Sequence, residues 1–529
     1  MNTVALQQLK SLLHGGGEIA LLDVREAGQF GESHLLFATS LPYSRLELDV
    51  GPLVPRKSVR VVVCDDGALG IAERAAARLG ALGYTDVAVL EGGTAAWAAA
   101  GYTLYRGVNV PSKLFGELVE HACHTPRVTA QELARMRAAG EDFVILDGRP
   151  IEEYRKMNIP GGICCPNAEL PYRVAGIVAD PRTRIVVNCA GRTRSIIGAQ
   201  TLINFGIPNP VAALENGTQG WVLADFELER GSARRYPDRI DEKHLPELRK
   251  RARALAKRFH VEFATAERAQ EWLRDPDRTT YLCDVRTPEE FKAGAIPGSV
   301  HAPGGQLIQA TDQWVGVRNA RLVLVDGGDA VRAPVVASWL KQLGFEACVL
   351  EGGVAADLEV TPAARPALPE LEPLAAARLK QLLAAGGCTA LDLGPSTRFR
   401  KAHIAGSRWS TRVRLVADAR GSKSPIVLVA DEKQVARLAA IDLLEAGARD
   451  VRLLEGGLAA WERAGFATES SSADPPDGDC VDYLFFVHDR HSGNREAMAQ
   501  YLAWETGLIA QLDEDEKAAF KLAVSSPGA

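Results

Sequence analysis

Short apolar runs recur along the chain, each closing on a polar or glycine-rich loop. The runs RIVVN (184–188) and RLVLV (321–325) are apolar on alternating and intervening positions alike. Such runs predict central parallel strands covered by helices on both faces. After each comes a helix-like segment, a short β-rich run and a glycine turn. The turn has four versions: VLEGGTAAW (89–97), ALENGTQGW (213–221), VLEGGVAAD (349–357) and LLEGGLAAW (453–461). Upstream of each lies a second shared phrase: ALLDVREAGQF (20–30), VILDGRPIEEY (144–154), YLCDVRTPEEF (281–291) and ALDLGPSTRFR (391–401).

A fixed order of signals repeated four times means four copies of one α/β unit. The expected domains are 1–106, 127–230, 260–365 and 366–468. A linker at 107–126, a charged helical linker at 231–259 and a helical C-terminal tail at 469–529 complete the chain. Within a copy the order is helix, strand ending in Asp-x-Arg, helix, a turn such as IPGG (159–162), apolar strand, helix, and strand before the glycine turn. This is a doubly wound layout, a small parallel sheet with helices on both faces. Its reactive crevice lies beyond the carboxyl ends of the strands.

Composition narrows the function. The 529 residues carry a net charge of -6, with 47% apolar and 24% charged residues, ordinary for a globular protein. Lys and Arg form no basic stripe, so nucleic acid is not an expected partner. No apolar run approaches the roughly 18 residues of a membrane span, and the first residues lack the features of a signal peptide. Nine cysteines at irregular spacing fit reduced thiols, and the expected compartment is the cytoplasm.

One cysteine sits where the crevice should be. Residues 188–195 read NCAGRTRS, which places Cys189 at the end of an apolar strand, before a helix and between arginines. Such a setting lowers a thiol pKa from about 8.5 to roughly 3.5–7.5. Residues Ala190 to Ser195 are expected to turn their backbone N–H groups inward as an anion nest. Gly191 permits the turn, and Arg192 and Arg194 are expected to attract an anionic donor.

Taken together, the Asp-x-Arg strand, the IPG turn, the cysteine-ended strand and the LE(G/N)G turn resemble the rhodanese family of sulfurtransferases. The resemblance extends to about residue 468. It implies four tandem rhodanese-like domains in which Cys189 accepts sulfane sulfur and residues Ala190, Gly191, Arg192, Thr193, Arg194 and Ser195 bind substrate. It further implies that thiosulfate or a related anion is the donor, and cyanide, a thiol or a protein the acceptor, with no cofactor or metal. Two positions depart from the family pattern. Glu153 stands where an arginine helps hold thiosulfate, and Gly191 replaces a lysine. In the matching loops the first copy has VVVCDDGALG (61–70), the third VLVDGGDAVR (323–332) and the fourth VLVADEKQVA (427–436). Asp326 and Ala430 leave copies three and four silent. Cys64 is expected to be an inactive remnant in an acidic loop.

Two other functions compete. A phosphatase loop needs Cys, five residues, then Arg, whereas Arg194 comes after four. A sulfur carrier or scaffold loaded by a partner enzyme fits the silent copies. Lesser signals have structural readings. Asp147 and Arg149 recur in silent copies and suggest an ion pair. His121, Cys123 and His124 lack a second ligand pair for a metal. Cys164 and Cys165 suit packing better than resolution of an oxidised Cys189. Tail residues Tyr483, His488, His491 and Trp504 belong to an expected docking helix.

Overall fold

Four five-stranded sheets account for the apolar runs, one in each copy. The computed structural model describes residues 2–68, 70–360 and 366–522. Expected domain and tail residues 361–365 and 523–529 lie outside the described residues, as does the side chain of His491.

In the second copy the strands are Arg127–Val128, Phe143–Asp147, Ile163–Cys164, Arg184–Asn188 and Val211–Leu214. Their spatial order is first, fifth, fourth, second, third, and all pairings are parallel. The apolar run explains the central place of the fourth strand. Ile185 and Val187 pack on one face with Leu170, Ala199 and Leu202, and Val186 packs on the other with Leu133, Ile145 and Trp221. Phe143 pairs with Arg184 and Asp147 with Asn188, so the second and fourth strands end side by side. The chain changes winding direction between these two strands, and Cys189 is the next residue, at the switch point where such sheets bind ligands.

Local signals set the helices. Thr129 caps Ala130–Ala138 by accepting from the Glu132 amide at 3.2 Å, with Glu132 reaching back to the Thr129 amide at 2.8 Å. The expected linkers are helices, Val110–Cys123 and Leu245–Arg258. No described helix is long and apolar enough to cross a membrane.

The chain divides into two compact units. One holds the fourth copy and the first copy without Gln7–Ala20, tied by Arg412, which bonds Glu47 at 2.6 Å and Asp442 at 3.1 Å, and by Arg78, 2.8 Å from Asp442. The other holds Gln7–Ala20, the second and third copies and the tail from residue 486. There Arg332 of the third copy meets Glu169 of the second at 2.9 Å, and the Trp339 indole donates to Thr201 Oγ1 at 2.7 Å.

The Asp-x-Arg phrase forms a buried ion pair in the first three copies: Asp23 with Arg25, Asp147 with Arg149 at 2.7 Å, and Asp284 with Arg286 at 2.6 Å. Each arginine also donates to a backbone carbonyl eight residues on, at Ser33, Met157 and Gly294. The pair thus fastens the end of the second strand to the far end of the following helix. In the fourth copy, which lacks the phrase, Arg398 reaches Asp392 at 2.7 Å. Breaking a buried pair leaves an uncompensated charge, at a cost of about 3–5 kcal/mol. Asp284→Ala is therefore expected to lower the unfolding free energy of its unit by that order, measured by chemical unfolding with amide exchange in strand Arg321–Val325 as the local probe.

Candidate active site

Glycine-to-carbonyl contacts fix the register of the four loops. The Thr218 amide donates to the Cys189 carbonyl at 2.9 Å, the Thr94 amide to Asp65 at 2.8 Å, and the Val354 amide to Asp326 at 2.9 Å. In each copy the glycine just before that amide has positive φ. A Cβ on Gly217 would lie 2.3 Å from the Cys189 carbonyl oxygen, and one on Gly457 2.5 Å from that of Ala430. Only glycine fits where the turn approaches so closely. One residue earlier, the carbonyls of Cys64, Asn188, Val325 and Val429 all accept from the neighbouring second-strand segment.

Cys64 therefore corresponds to Asn188, and the residue in the place of Cys189 is Asp65. This corrects the sequence alignment, which matched cysteine to cysteine. Strand Arg60–Cys64 ends on its cysteine, whereas strand Arg184–Asn188 ends one residue before Cys189. Cys64 is a fully buried strand residue whose thiol is pushed well above its ordinary pKa by burial and by the carboxylates of Asp23 and Asp65.

The first and third copies show what the loop holds. Asp65 accepts from the amides of Gly67 at 2.7 Å, Ile71 at 2.9 Å and Ala72 at 3.0 Å. Asp326 accepts from those of Gly327 and Arg332, both at 2.7 Å, and Ala333 at 2.9 Å. Ile71 and Arg332 each begin a helix, whose first amides have no partner within it. Both loops thus place a carboxylate on the first helical amides. In the second copy Cys189 replaces the carboxylate, Ser195 stands where Ile71 and Arg332 do, and the helix Thr193–Phe205 begins two residues earlier. The amides of Ala190, Gly191, Arg192, Arg194 and Ser195 meet no acceptor among the described residues.

The two arginines differ from expectation. Arg192 bonds Glu117 with two nitrogens, at 2.7 and 2.8 Å, and also contacts Glu120. Both carboxylates come from helix Val110–Cys123, in the segment expected to be a linker. Arg194 grips Glu153 through two 2.8 Å bonds. Glu153, standing where the family pattern has an arginine, thus serves as the counter-ion of another. Burial lowers the Arg194 pKa, but Glu153 and then Cys189 raise it, with a net upward shift, which places its charge beside the sulfur. Neither guanidinium is a free anion receptor, because carboxylates have already paired with both.

Cys189 is 2% exposed, and Ala190, Gly191, Arg192, Thr193 and Ser195 are buried. The tail completes the enclosure. Helix Arg495–Gly507 buries Ala497, Met498, Tyr501, Leu502 and Glu505 on one face. Glu505 Oε1 accepts from the Thr193 hydroxyl at 2.5 Å and its amide at 3.4 Å, and Lys113 lies 3.5 Å away. Sequence reasoning missed Glu117, Glu120 and Glu505. Glu505 left one signal, a carboxylate in phase with Tyr501 and Met498 on an otherwise apolar stripe.

Cys164 and Cys165 are buried, and the Cys164 thiol is pushed up to about 12 by burial and Asp147. His121 and His124 are exposed at the end of their helix, and no group of three or more metal-binding side chains occurs among the described residues.

A family model described as rhodanese-like domain matches residues 5–100, 129–224, 265–358 and 375–464. A solved thiosulfate sulfurtransferase from Pseudomonas aeruginosa is 43% identical with a TM-score of 0.91, the match covering 99% of this chain and 100% of that one. An HTH-type transcriptional regulator of Mycobacterium tuberculosis is 35% identical over 105 residues, 20% of this chain, and the chain spans only 45% of that curated relative's length.

A raised pKa keeps the Cys64 thiol protonated through neutral pH, and only the thiolate alkylates readily. In the folded protein Cys64 is expected to remain unmodified by iodoacetamide up to about pH 9 while Cys189 reacts, as read by peptide mass mapping.

Proposed function

The chain belongs to the rhodanese-like family, and on that premise we propose that it is a thiosulfate sulfurtransferase working through a Cys189 persulfide. The observation that carries this reading is the pair of carboxylates in the silent loops. Asp65 and Asp326 mark the point where the first helical amides receive negative charge. A persulfide on Cys189 would bring its terminal sulfur anion toward that point, so the amides would stabilise the intermediate without any cofactor.

The chemistry balances in two steps. Cys189 Sγ, as thiolate, attacks the outer sulfur of thiosulfate. The donor's S–S bond breaks, its electron pair leaves with sulfite, and a new S–S bond makes the persulfide anion. Cyanide or a thiolate then attacks the outer sulfur, and the electron pair returns to Sγ, giving thiocyanate or a new persulfide. Covalent exchange of this kind gives ping-pong kinetics. With both arginines paired, the loop amides are the groups left to steady the donor.

The near-complete burial of Cys189 supports a small donor over a carrier loaded by protein contact. Nine free thiols support a reducing compartment, the cytoplasm.

Incubating the reduced protein with thiosulfate is expected to add one sulfur atom to the Cys189 peptide and release sulfite. Cys189→Ser should abolish transfer to cyanide, and Cys64→Ser should retain most of it. Transfer that survives Cys189→Ser and is lost in Cys64→Ser would overturn the assignment, and loading by a desulfurase but not by thiosulfate would establish the carrier instead.

A further inference from the structure

We propose that Glu505 of the tail helix is a specificity-determining residue of the Cys189 site, an internal carboxylate that competes with anionic sulfur donors at the mouth of the loop. The proposal rests on Cys189 being the reacting thiol.

Three copies place a carboxylate on the first amide of the helix that follows the fourth strand. In the first and third the carboxylate belongs to the loop itself: Asp65 on Ile71 and Asp326 on Arg332. In the second it comes from 312 residues away, with Glu505 on the amide and hydroxyl of Thr193. Thr193 lies four residues after Cys189, whereas Ile71 and Arg332 lie six after their aspartates, so the tail carboxylate meets the start of the helix two residues earlier than the loop carboxylates do.

Glu505 engages the site only partly. Its side chain is fully buried, yet Oε2 finds no donor among the described residues, the Gln219 side-chain NH2 finds no acceptor and the Gln219 side-chain carbonyl finds no donor. Both groups face Gly191. A Cβ built there would lie 3.1 Å from Glu505 Oε2 and 3.6 Å from Gln219 Nε2. Lys113, 3.5 Å away, balances the charge. An arriving dianion meets this carboxylate at close range, whereas a neutral reagent does not. The helix is latched at its far end, where Arg495 donates to the carbonyls of Val222 at 2.7 Å and Leu223 at 3.1 Å. That latch holds Glu505 in place.

The test compares Cys189 labelling by iodoacetate, an anion, with labelling by neutral iodoacetamide, scored by peptide mapping. Removing a unit charge at a few ångströms inside a protein changes an anion's access by about tenfold or more. Glu505→Gln should raise the iodoacetate-to-iodoacetamide ratio by that factor and lower the half-saturating thiosulfate concentration with little change in kcat. Glu505→Asp should stay near wild type, and so should Glu496→Gln on the exposed face of the same helix. Arg495→Ala, which opens the latch without touching the site, should raise the ratio as well and serves if Glu505→Gln does not fold. An unchanged ratio in the folded variants overturns the proposal. If no form consumes thiosulfate but the ratio still shifts, Glu505 keeps its role toward anions and only the donor assignment fails.

Discussion

The first amides of a helix that follows a parallel strand point out of the end of the sheet with nothing in the helix to receive them. Everything at the Cys189 site answers that demand. In the first and third copies a loop aspartate satisfies it at close range, through three backbone bonds in each case. Where the aspartate gives way to cysteine, the loop amides lose that carboxylate and, that of Thr193 apart, meet no other acceptor among the described residues. The same constraint thus produces a self-sealed loop or an open one, according to a single residue.

A copy without a cysteine in this loop keeps its fold because the fold does not rest on the loop. The buried Asp-Arg pair at the end of the second strand is present in the first three copies and rebuilt with Arg398 in the fourth. The silent copies also do structural work. Arg332 ties Asp326 to Glu169, so the sealed loop of the third copy is part of its attachment to the second. Gln306 of the third copy lies 3.5 Å from Arg194, which brings that copy to the edge of the site.

The architecture was legible because its signals are local. Apolar strands, capped helices and the paired glycine turns are short phrases, and their fourfold recurrence removed the ambiguity of any one. The end of strand Arg184–Asn188 and the loop after it were legible for the same reason. The first copy was misplaced by one residue because a matching sulfur drew the eye away from the strand end, which the carbonyl contacts fix at Cys64. The partners of Arg192 were illegible because Glu117 and Glu120 lie on a segment that reads as a connection. Charge pairing over 72 to 75 residues, or 312 for Glu505, leaves no spacing rule to read.

That last separation has a consequence in time. A chain is made from its N-terminus at about 5–20 residues per second, and domains fold as they emerge. The second copy is complete long before residue 505 is joined. For roughly a quarter of a minute to a minute of synthesis, the newborn thiol stands in a folded loop that its own tail has not yet reached. The loop around Cys189 is therefore first assembled without the carboxylate that contacts Thr193 in the finished protein.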